Sequence, residues 1–375
     1  MIADNEVIDW LQLINCENIG PVTFFKLLET YGSAASALTS LPAKYKKFPR
    51  SAAEKEFNRA QAAGIQIIAY TDGRYPAALK QLDDAPPLLY VRGNAELLNA
   101  PLSLAVVGAR NASINGRKTA AKIACELTSN QVLIISGMAR GIDSAAHKGA
   151  LHALNQQGPT LAVLGTGVDV VYPPENQDLY QKIIDNGAVI SEFPLGTGPQ
   201  PNNFPRRNRI VAALAQGTLV VEATARSGSL ITARLALEQG RDIFAVPGSP
   251  LDQRAQGPNR LIKDGANLVE SAEDILNILL LNNNRRIRPF IKPRTQDLFA
   301  VPIDISEKTA DIPQQSSAAD SLLNLLDVEG VYVDEIIRRS GLDASTLSLL
   351  LLELEMDGKI ERRAGNKVAL IKSNR

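Results

Sequence analysis

The 375-residue sequence predicts an α/β fold whose centre is a doubly wound, mainly parallel sheet. Six short apolar runs alternate with helical segments, and most of them end in a glycine or another turn residue. Uninterrupted apolar runs are typical of parallel strands that are buried on both faces. The pattern therefore predicts a Rossmann-like core. The runs lie at residues 104–107, 132–135, 161–164, 188–190, 219–221 and 243–246.

The first part of the chain predicts a separate helical domain, which we place at residues 1–70. Apolar residues at helical spacing lie on both sides of the turn Ile19-Gly20-Pro21. A helix, a glycine turn and a second helix are typical of SAM-like and helix-hairpin-helix units. Such a hairpin either binds phosphate or packs as a small domain. Its low basic charge favours packing.

The last part of the chain predicts a winged helix. We place the Rossmann-like domain at residues 71–283 and a linker without periodicity at residues 284–318. Residues 319–375 then predict three helices and a hairpin. We expect the first helix to hold Leu322, Leu323, Leu325 and Leu326, and the hairpin to turn near Gly365 and Asn366. The third helix, residues 345–356, is mostly leucine and acid, which favours packing or protein contact over reading duplex DNA.

Composition limits the classes of function. Forty basic and forty acidic residues cancel, so any nucleic-acid surface has to be local. Cys16 and Cys125 are the only cysteines and lack ligand-like spacing, so we expect no disulfide, no metal and no cofactor, and a reducing, cytoplasmic setting. The N-terminus does not resemble a signal peptide. No apolar stretch approaches membrane-spanning length, so we expect no membrane contact.

Four loops carry the residues with binding chemistry. Residues 203–210 (NFPRRNRI) hold three arginines and one phenylalanine without an acid. Arginine pairs bidentately with phosphate, and phenylalanine offers a flat face to a base. The loops at residues 108–118, 136–143 and 222–232 follow predicted strands; each alone also fits a tight turn with a surface charge. Since ligands bind at the carboxyl ends of the strands in such sheets, we expect one edge to carry Arg110, Arg140, Arg206, Arg207, Arg209 and Arg226.

The sequence offers little catalytic chemistry. Glu222 and Asp143 are the only acids well placed at strand ends or loops, and the sequence shows no nucleophile elbow, metal cluster or catalytic cysteine setting. His147 and His152 are five residues apart, which misses the helical spacing of a metal pair, so we expect packing or surface histidines. We therefore predict a binding protein and not an enzyme.

These motifs, in this order, resemble the bacterial DNA-processing protein A family (DprA, also called Smf). The resemblance covers roughly residues 70–280, and the two flanking domains also look like those of the family. The matching segments are VGAR (107–110), SGMARGID (136–143), AVLG (162–165), SEFP (191–194), NFPRRNRI (203–210), SGSLITA (227–233) and VPG (246–248).

The resemblance implies a homodimer that binds single-stranded DNA, protects incoming strands and loads RecA recombinase onto them during natural transformation. It also implies which residues line the DNA pocket, with Arg206 at a variable basic position. The full candidate set for DNA binding is Gly108, Arg110, Ser113, Ser136, Gly137, Arg140, Phe204, Arg206, Arg207, Asn208, Arg209, Arg226, Ser227, Gly228 and Ser229.

An alternative is a nucleotide-hydrolysing enzyme of the lysine-decarboxylase-like Rossmann class, with Glu222 or Asp143 as the acid. Members of that class carry Pro-Gly-Gly-x-Gly-Thr followed by a catalytic glutamate. This chain has Arg226-Ser227-Gly228-Ser229 in the comparable region and lacks the glutamate pattern. The departure favours binding over hydrolysis.

Overall fold

A computed structural model describes residues 3–282 together with part of the C-terminal region. There it describes residues 322–323, 325–327, 330–340, 347, 350–351, 354–355, 359–363 and 367–371. The predicted linker at residues 284–318 and the predicted turn at Gly365 and Asn366 lie outside the described residues. Within the described part of the chain, no helix is long and apolar enough to cross a membrane.

The N-terminal domain is helical, as predicted. Its helices are α1 (Asp4–Ile14), α2 (Pro21–Tyr31), α3 (Ala34–Thr39) and α4 (Arg50–Ala62). Pro21 occupies the first turn of α2, where its missing N–H costs no hydrogen bond, and Gly32 ends the helix in the left-handed conformation with φ +79°. Trp10 packs on Phe24 with ring centroids 5.0 Å apart, which joins α1 to α2.

A nine-stranded sheet forms the centre of the molecule. Its spatial order is β1-β2-β6-β5-β4-β3-β7-β8-β9. The six predicted strands are confirmed as β3 to β8, and all of them are parallel to their neighbours within that set. The strands are β1 (Gln66–Ala69), β2 (Leu88–Gly93), β3 (Ser103–Val107), β4 (Leu133–Ser136), β5 (Thr160–Val163), β6 (Ala188–Ser191), β7 (Gly217–Val220), β8 (Asp242–Ala245) and β9 (Asn267–Leu268).

Three strands extend the sheet beyond the prediction. At one end, β1 pairs antiparallel with β2, and β2 pairs antiparallel with β6. At the other end, the two-residue β9 pairs with β8. Residues 88–93 are not among the six runs predicted as strands. Their backbone partner Ala188–Ser191, about one hundred residues away, joins this segment to the sheet.

Helices cover both faces of the sheet. They are α5 (Ile114–Ser129), α6 (Ile142–Gln156), α7 (Gln177–Asn186), α8 (Asn203–Leu214), α9 (Gly228–Glu238), α10 (Gln256–Lys263) and α11 (Ala272–Asn282). Along β3, Leu104 and Val106 pack in one core with α5, whereas Ala105 and Val107 pack in another with α8. This two-sided burial explains why the strand is apolar throughout.

The helical domain shares a core with the sheet. Its buried residues form one cluster with residues of β2, β5 and β6. Glu56 of α4 accepts hydrogen bonds from the Tyr90 hydroxyl and from the backbone N–H of Leu195. Burial raises the pKa of the Glu56 carboxyl. Apolar packing and these hydrogen bonds together fix the domain on the sheet.

The C-terminal region has the strands of a winged helix. A three-stranded sheet with the order β10-β12-β11 comprises β10 (Val331–Tyr332), β11 (Ile360–Arg363) and β12 (Lys367–Leu370), and α12 (Val333–Ser340) follows β10. The helix predicted to hold Leu322, Leu323, Leu325 and Leu326 is shorter than expected. Leu322 and Leu323 are helical, but Leu326 lies outside regular structure, because Asp327 accepts from Leu370 N–H and leads the chain into β10.

The leucines of the predicted third helix pack inside the C-terminal domain. Leu347, Leu350, Leu351 and Leu354 are all buried and belong to one cluster with residues of β11 and β12. Their burial agrees with the expectation that the leucines of this helix serve packing.

His147 on α6 is fully buried beneath the sheet. Its Nδ1 lies 2.8 Å from the Thr160 hydroxyl, which donates to the Ile134 carbonyl at 2.7 Å. The Thr160 oxygen therefore accepts from Nδ1–H, which assigns the proton of the neutral ring to Nδ1. Burial, reinforced by the charge of Arg207, lowers the pKa of His147 to about 3.

This histidine makes stability depend on pH. Between pH 6.5 and about pH 3 the unfolded chain binds a proton that the folded protein does not, so stability is full above this window and falls as the pH falls through it. We expect His147→Leu to reduce the slope of the unfolding free energy against pH by roughly 1.4 kcal/mol per pH unit. Urea unfolding between about pH 6 and pH 4, inside this window, measures the difference. Parallel pH profiles of wild type and variant would contradict it.

Candidate nucleic-acid interface

The candidate site lies where the strand order reverses. Strand β3 is flanked by β4 on one side and by β7 on the other, and the chain runs outward in both directions from that point. The loops that follow β3, β4, β5, β7 and β8 meet at the carboxyl edge of the sheet. Doubly wound folds bind their ligands in the crevice at this switch point. Here the crevice is a cavity of about 930 Å³.

Two glycines allow three loops to meet closely. A Cβ on Gly108 would lie 2.5 Å from Ile142 Cγ1 and 2.9 Å from the Glu222 carbonyl oxygen. Gly141 has φ +75°, and a Cβ there would overlap the carbonyl oxygens of Ala109 and Arg110. Because neither glycine carries a Cβ, the loops approach closely and Ala109 N–H donates to the Glu222 carbonyl at 2.6 Å. Backbone contact between loops therefore shapes the floor of the cavity.

Glu222 serves as a structural anchor. Its carboxylate accepts from the Ser113 backbone N–H at 2.8 Å and from the Ser113 hydroxyl at 2.6 Å. The same hydroxyl oxygen caps α5 by accepting from Gly116 N–H at 2.9 Å. Both carboxylate oxygens are thus engaged. They tie the start of α5 to the loop after β7.

A buried arginine lies beneath the cavity. Arg207 of α8 donates from Nη1 to the Val163 carbonyl at 2.7 Å and is 5% exposed. Burial lowers the pKa of Arg207 to about 10, so the guanidinium remains charged at neutral pH. Asp143 is the acid whose charge favours this cation. The Asp143 carboxylate accepts from Gly137 N–H at 3.2 Å and Ala139 N–H at 3.4 Å, and burial raises its pKa.

Gly137 supplies the space for that cation. A Cβ on Gly137 would overlap the guanidinium group of Arg207. The glycine therefore allows the arginine side chain to cross the loop after β4 and reach β5. Gly137 itself does not line the cavity.

One wall of the cavity is aromatic and cationic. The Arg110 guanidinium carbon lies 5.5 Å from the centre of the Phe204 ring, within cation–π range. Tyr172 lies beside the same ring, with centroids 5.7 Å apart and planes inclined at 43°. Gly165 lies beneath Phe204, since a Cβ there would be 3.0 Å from Cδ1. Phe204 is half-buried and keeps part of its surface toward the cavity.

The opposite wall begins a helix. Ser227 is the N-cap of α9, and its hydroxyl oxygen accepts from Ser229 N–H at 3.4 Å. The two serine hydroxyls are 2.7 Å apart. N–H groups at a helix start, together with the helix dipole, favour an anion such as phosphate. The cavity therefore combines positive charge, anion-binding N–H groups and a half-buried aromatic ring.

Nine of the fifteen predicted residues line this cavity: Gly108, Arg110, Arg140, Phe204, Arg207, Asn208, Ser227, Gly228 and Ser229. Arg140 is exposed and pairs with Glu175. Three others support the loops or lie beside them. Ser113 is held by Glu222, Ser136 is fully buried and donates to the Val106 carbonyl at 2.6 Å, and Arg226 is exposed beside the cavity.

Arg206 and Arg209 lie elsewhere, contrary to the expectation of one arginine edge. Residues 203–210 form the first turns of α8 and not a loop. At 100° per residue, positions 204, 207 and 208 share one helix face, and positions 206 and 209 face away from it. Arg209 pairs with Glu192 at 2.6 Å and with Asp84 at 3.1 Å, in a separate groove against the helical domain.

Arg206 joins the same ion-pair cluster from a more exposed position. It lies 3.3 Å from Glu192, and its guanidinium carbon is 4.9 Å from the centre of the Phe193 ring. Burial raises the pKa of Glu192, against the opposing effect of Arg209 and Arg206. DNA binding by either arginine stays a prediction.

The loop after β8 contributes residues that sequence reasoning missed. Leu251, Asp252 and Arg254 line the cavity, as does Thr224 of the loop after β7. Arg254 pairs with Asp252 at 3.0 Å. The sequence contained a signal for these loop residues, because they closely follow VPG (246–248), one of the segments that resemble the family. Within the described residues, no group of three or more histidine, cysteine or acidic side chains is arranged to hold a metal.

Fold and site thus define a Rossmann-like α/β protein with a cationic, aromatic-walled cleft at its switch point. A family model described as DNA recombination-mediator protein A matches residues 66–280. Models of the DprA-like N-terminal HHH domain and of the DprA winged helix domain match residues 4–63 and 306–366. The chain belongs to the DNA-processing protein A (DprA/Smf) family.

Individual relatives agree with this assignment. The DNA processing protein DprA of Streptococcus pneumoniae is 46% identical over 222 residues, covering 59% of this chain and 75% of its own length. The X-ray structure of DprA from that species has a TM-score of 0.61 at 35% identity, covering 74% of this chain and 98% of the other. Protein Smf of Escherichia coli is 38% identical over 333 residues, covering 87% and 83%.

A solved structure of DNA processing protein A from Helicobacter pylori is also similar. It has a TM-score of 0.52 at 30% identity and covers 58% of this chain and 97% of the other. Its description concerns the single-stranded DNA binding mode of that protein.

The packing of Arg207 against Gly137 gives a test of the site's architecture. We expect Gly137→Ala to displace the guanidinium, break its bond to Val163 and destabilise the fold by about 2–4 kcal/mol. Thermal and urea unfolding measure the change. Gly198→Ala is the matched control, since a Cβ there meets nothing within 4 Å. Equal stability of the two variants would contradict the assigned role of Gly137.

Proposed function

We propose that the protein binds single-stranded DNA in this cleft and acts as a recombination mediator. The observation that carries the proposal is the Arg110–Phe204 wall facing the start of α9. Phosphates suit the arginines and the N–H groups of the helix start, and unpaired bases suit the face of Phe204. A base becomes available for such stacking when it is outside a duplex. This combination therefore favours a single strand.

The similarity to the Helicobacter pylori protein supports the same ligand. That protein is described by its single-stranded DNA binding mode, and this chain covers 97% of its solved structure. The likeness at 30% identity extends over 58% of this chain. We carry the ligand class over to this chain as part of the proposal.

The state of the two candidate acids supports binding without catalysis. Glu222 is engaged by the Ser113 N–H and hydroxyl, and Asp143 accepts two backbone N–H groups of the loop after β4. A general base needs a carboxylate that reaches the substrate. Both carboxylates instead hold the loops that shape the cavity. These interactions count against the nucleotide-hydrolase alternative.

The biological part of the proposal follows from family membership. We propose that the protein works as a homodimer in the cytoplasm, protects incoming single strands and helps to load RecA onto them during natural transformation. The family model carries the description recombination-mediator protein, which supports the mediator role. Loading requires that the strand is held by its backbone and released to a second protein, and a cleft that binds phosphates would allow such a transfer.

Oligo-dT binding across a range of salt concentrations tests the ligand. We expect Phe204→Ala to cost about 1–3 kcal/mol of binding free energy, since one base no longer stacks on the protein. Arg110→Ala should lower the slope of log affinity against log salt by roughly 0.7 for each phosphate that the protein no longer neutralises. Phe204→Ala should leave that slope nearly unchanged.

Arg234→Ala is the matched control for Arg110→Ala. Arg234 is 75% exposed on α9, pairs with Glu238 and does not line the cleft. It should bind oligo-dT as the wild type does. Absence of oligo-dT binding at low salt, or equal affinities for wild type, Phe204→Ala and Arg110→Ala, would refute the proposed function.

RecA assembly tests the mediator role. On single strands coated with a single-strand-binding protein, we expect the wild type to accelerate RecA filament formation, measured as the DNA-dependent ATPase of RecA. Arg110→Ala should lose most of this acceleration because it holds the strand poorly, and Arg234→Ala should retain it. A wild type that binds DNA without affecting RecA would restrict the protein to strand binding.

A further inference from the structure

We infer that Leu251 forms the second apolar end of the DNA cleft and contacts the strand where it leaves. This inference rests on the proposed function and extends it. Leu251 is 96% exposed, and the next most exposed large apolar side chain among the described residues is Leu237, at 65%. A single exposed leucine is ordinary on a protein surface. The position of Leu251 at the cavity is what distinguishes it.

The loop that presents Leu251 is held at both ends. Leu251 N–H donates to the Ser249 hydroxyl at 3.3 Å, and the Asp252 carboxylate accepts from the Arg254 guanidinium at 3.0 and 3.1 Å. Asn259 exchanges two hydrogen bonds with the backbone of Gly248. The loop is therefore a fixed support, and the leucine at its tip loses little loop entropy when a ligand binds.

The same loop is bonded to the phosphate-binding side of the cleft. The backbone N–H of Ala223, in the loop after β7, donates to the Arg254 carbonyl at 2.7 Å, and Gly257 N–H donates to the Ala223 carbonyl at 2.9 Å. The loop after β7 continues to Ser227 and the start of α9. Leu251 thus borders the site proposed for phosphate.

Leu251 and Phe204 lie at opposite ends of the cleft. Phe204 packs on Gly165, which follows β5, and Leu251 follows β8. The sheet order β5-β4-β3-β7-β8 separates these ends by four strand spacings, roughly 19 Å. Stacked nucleotides rise about 3.4 Å each, so this span corresponds to about six nucleotides.

The arrangement identifies the occupant as nucleic acid. Both apolar ends belong to the same cavity, and basic residues outnumber acids in its lining. The basic residues are Arg110, Arg140, Arg207, Arg254 and Lys359, and the acids are Asp143 and Asp252. A strand of about six nucleotides presents phosphates to that charge while its terminal base or sugar covers Leu251. A protein partner at the same place would have to match the cationic floor with acids.

Oligonucleotides of different length distinguish contact at the Phe204 end of the cleft from contact at the Leu251 end. We expect Leu251→Ala to weaken binding of an eight-nucleotide oligo-dT about fivefold, corresponding to partial loss of the leucine's transfer free energy. Binding of a three-nucleotide oligo-dT should change less than about twofold, because this strand is too short to reach Leu251 from the Phe204 end. Phe204→Ala should weaken both.

A tryptophan at the same position reports contact directly. Trp10, the only tryptophan, is buried in the helical domain. Leu251→Trp therefore adds an exposed indole at the mouth of the cleft, and we expect its fluorescence to fall when the eight-nucleotide strand is added. Its affinity should rise about fivefold, because an indole stacks on bases more strongly than leucine packs.

Leu237 supplies the matched controls. It is exposed on α9 but lies nine residues beyond Gly228, roughly 14 Å along the helix axis, and does not line the cavity. Leu237→Ala and Leu237→Trp should show no change in affinity and no quenching. If the wild type binds oligo-dT and the Leu251 variants behave as the Leu237 variants do, the inference is overturned and the proposed function stands. If the wild type does not bind oligo-dT, both the proposed function and the inference about Leu251 are refuted.

Discussion

Arg207 is a buried cation on which the rest of the site depends. Taking a guanidinium out of water is costly unless its hydrogen bonds are made and an opposite charge is near. Here the Val163 carbonyl and Asp143 provide that compensation, and Gly137 leaves the space. The loop after β4 and the end of β5 are therefore fixed to α8 by one side chain. The position of Phe204, one turn earlier on the same helix, follows from that constraint.

The acids beneath the cleft have a structural role that also bears on function. Asp143 and Glu222 keep the loops in place by accepting backbone N–H groups, and these hydrogen bonds offset part of their negative charge. The arginines retain their charge toward the cavity. The same hydrogen bonds that stabilise the loops thereby leave a net positive surface in a chain whose overall charge is zero.

Some parts of the site could be predicted from sequence because they depend on local pattern. The six apolar runs became strands β3 to β8, and the glycine-containing loops after them met at one edge, since parallel strands place their carboxyl ends together. The arginines of residues 203–210 could not be assigned in the same way. If the segment were a loop, Arg206 and Arg209 could both face the cleft. The segment is a helix, which directs both side chains toward Glu192.

The sequence by itself determined the class of fold, the family and the chemical character of the site, because these depend on apolar runs, turn residues and the order of motifs, all of which are local features of the sequence. Tertiary structure decided which charges reach the cleft and which are neutralised. Arg209 meets Asp84 across more than one hundred residues, and Leu251 reaches the cavity only because β8 lies beside β7. Such contacts depend on the order of strands and the rotation of helices, which local pattern does not encode.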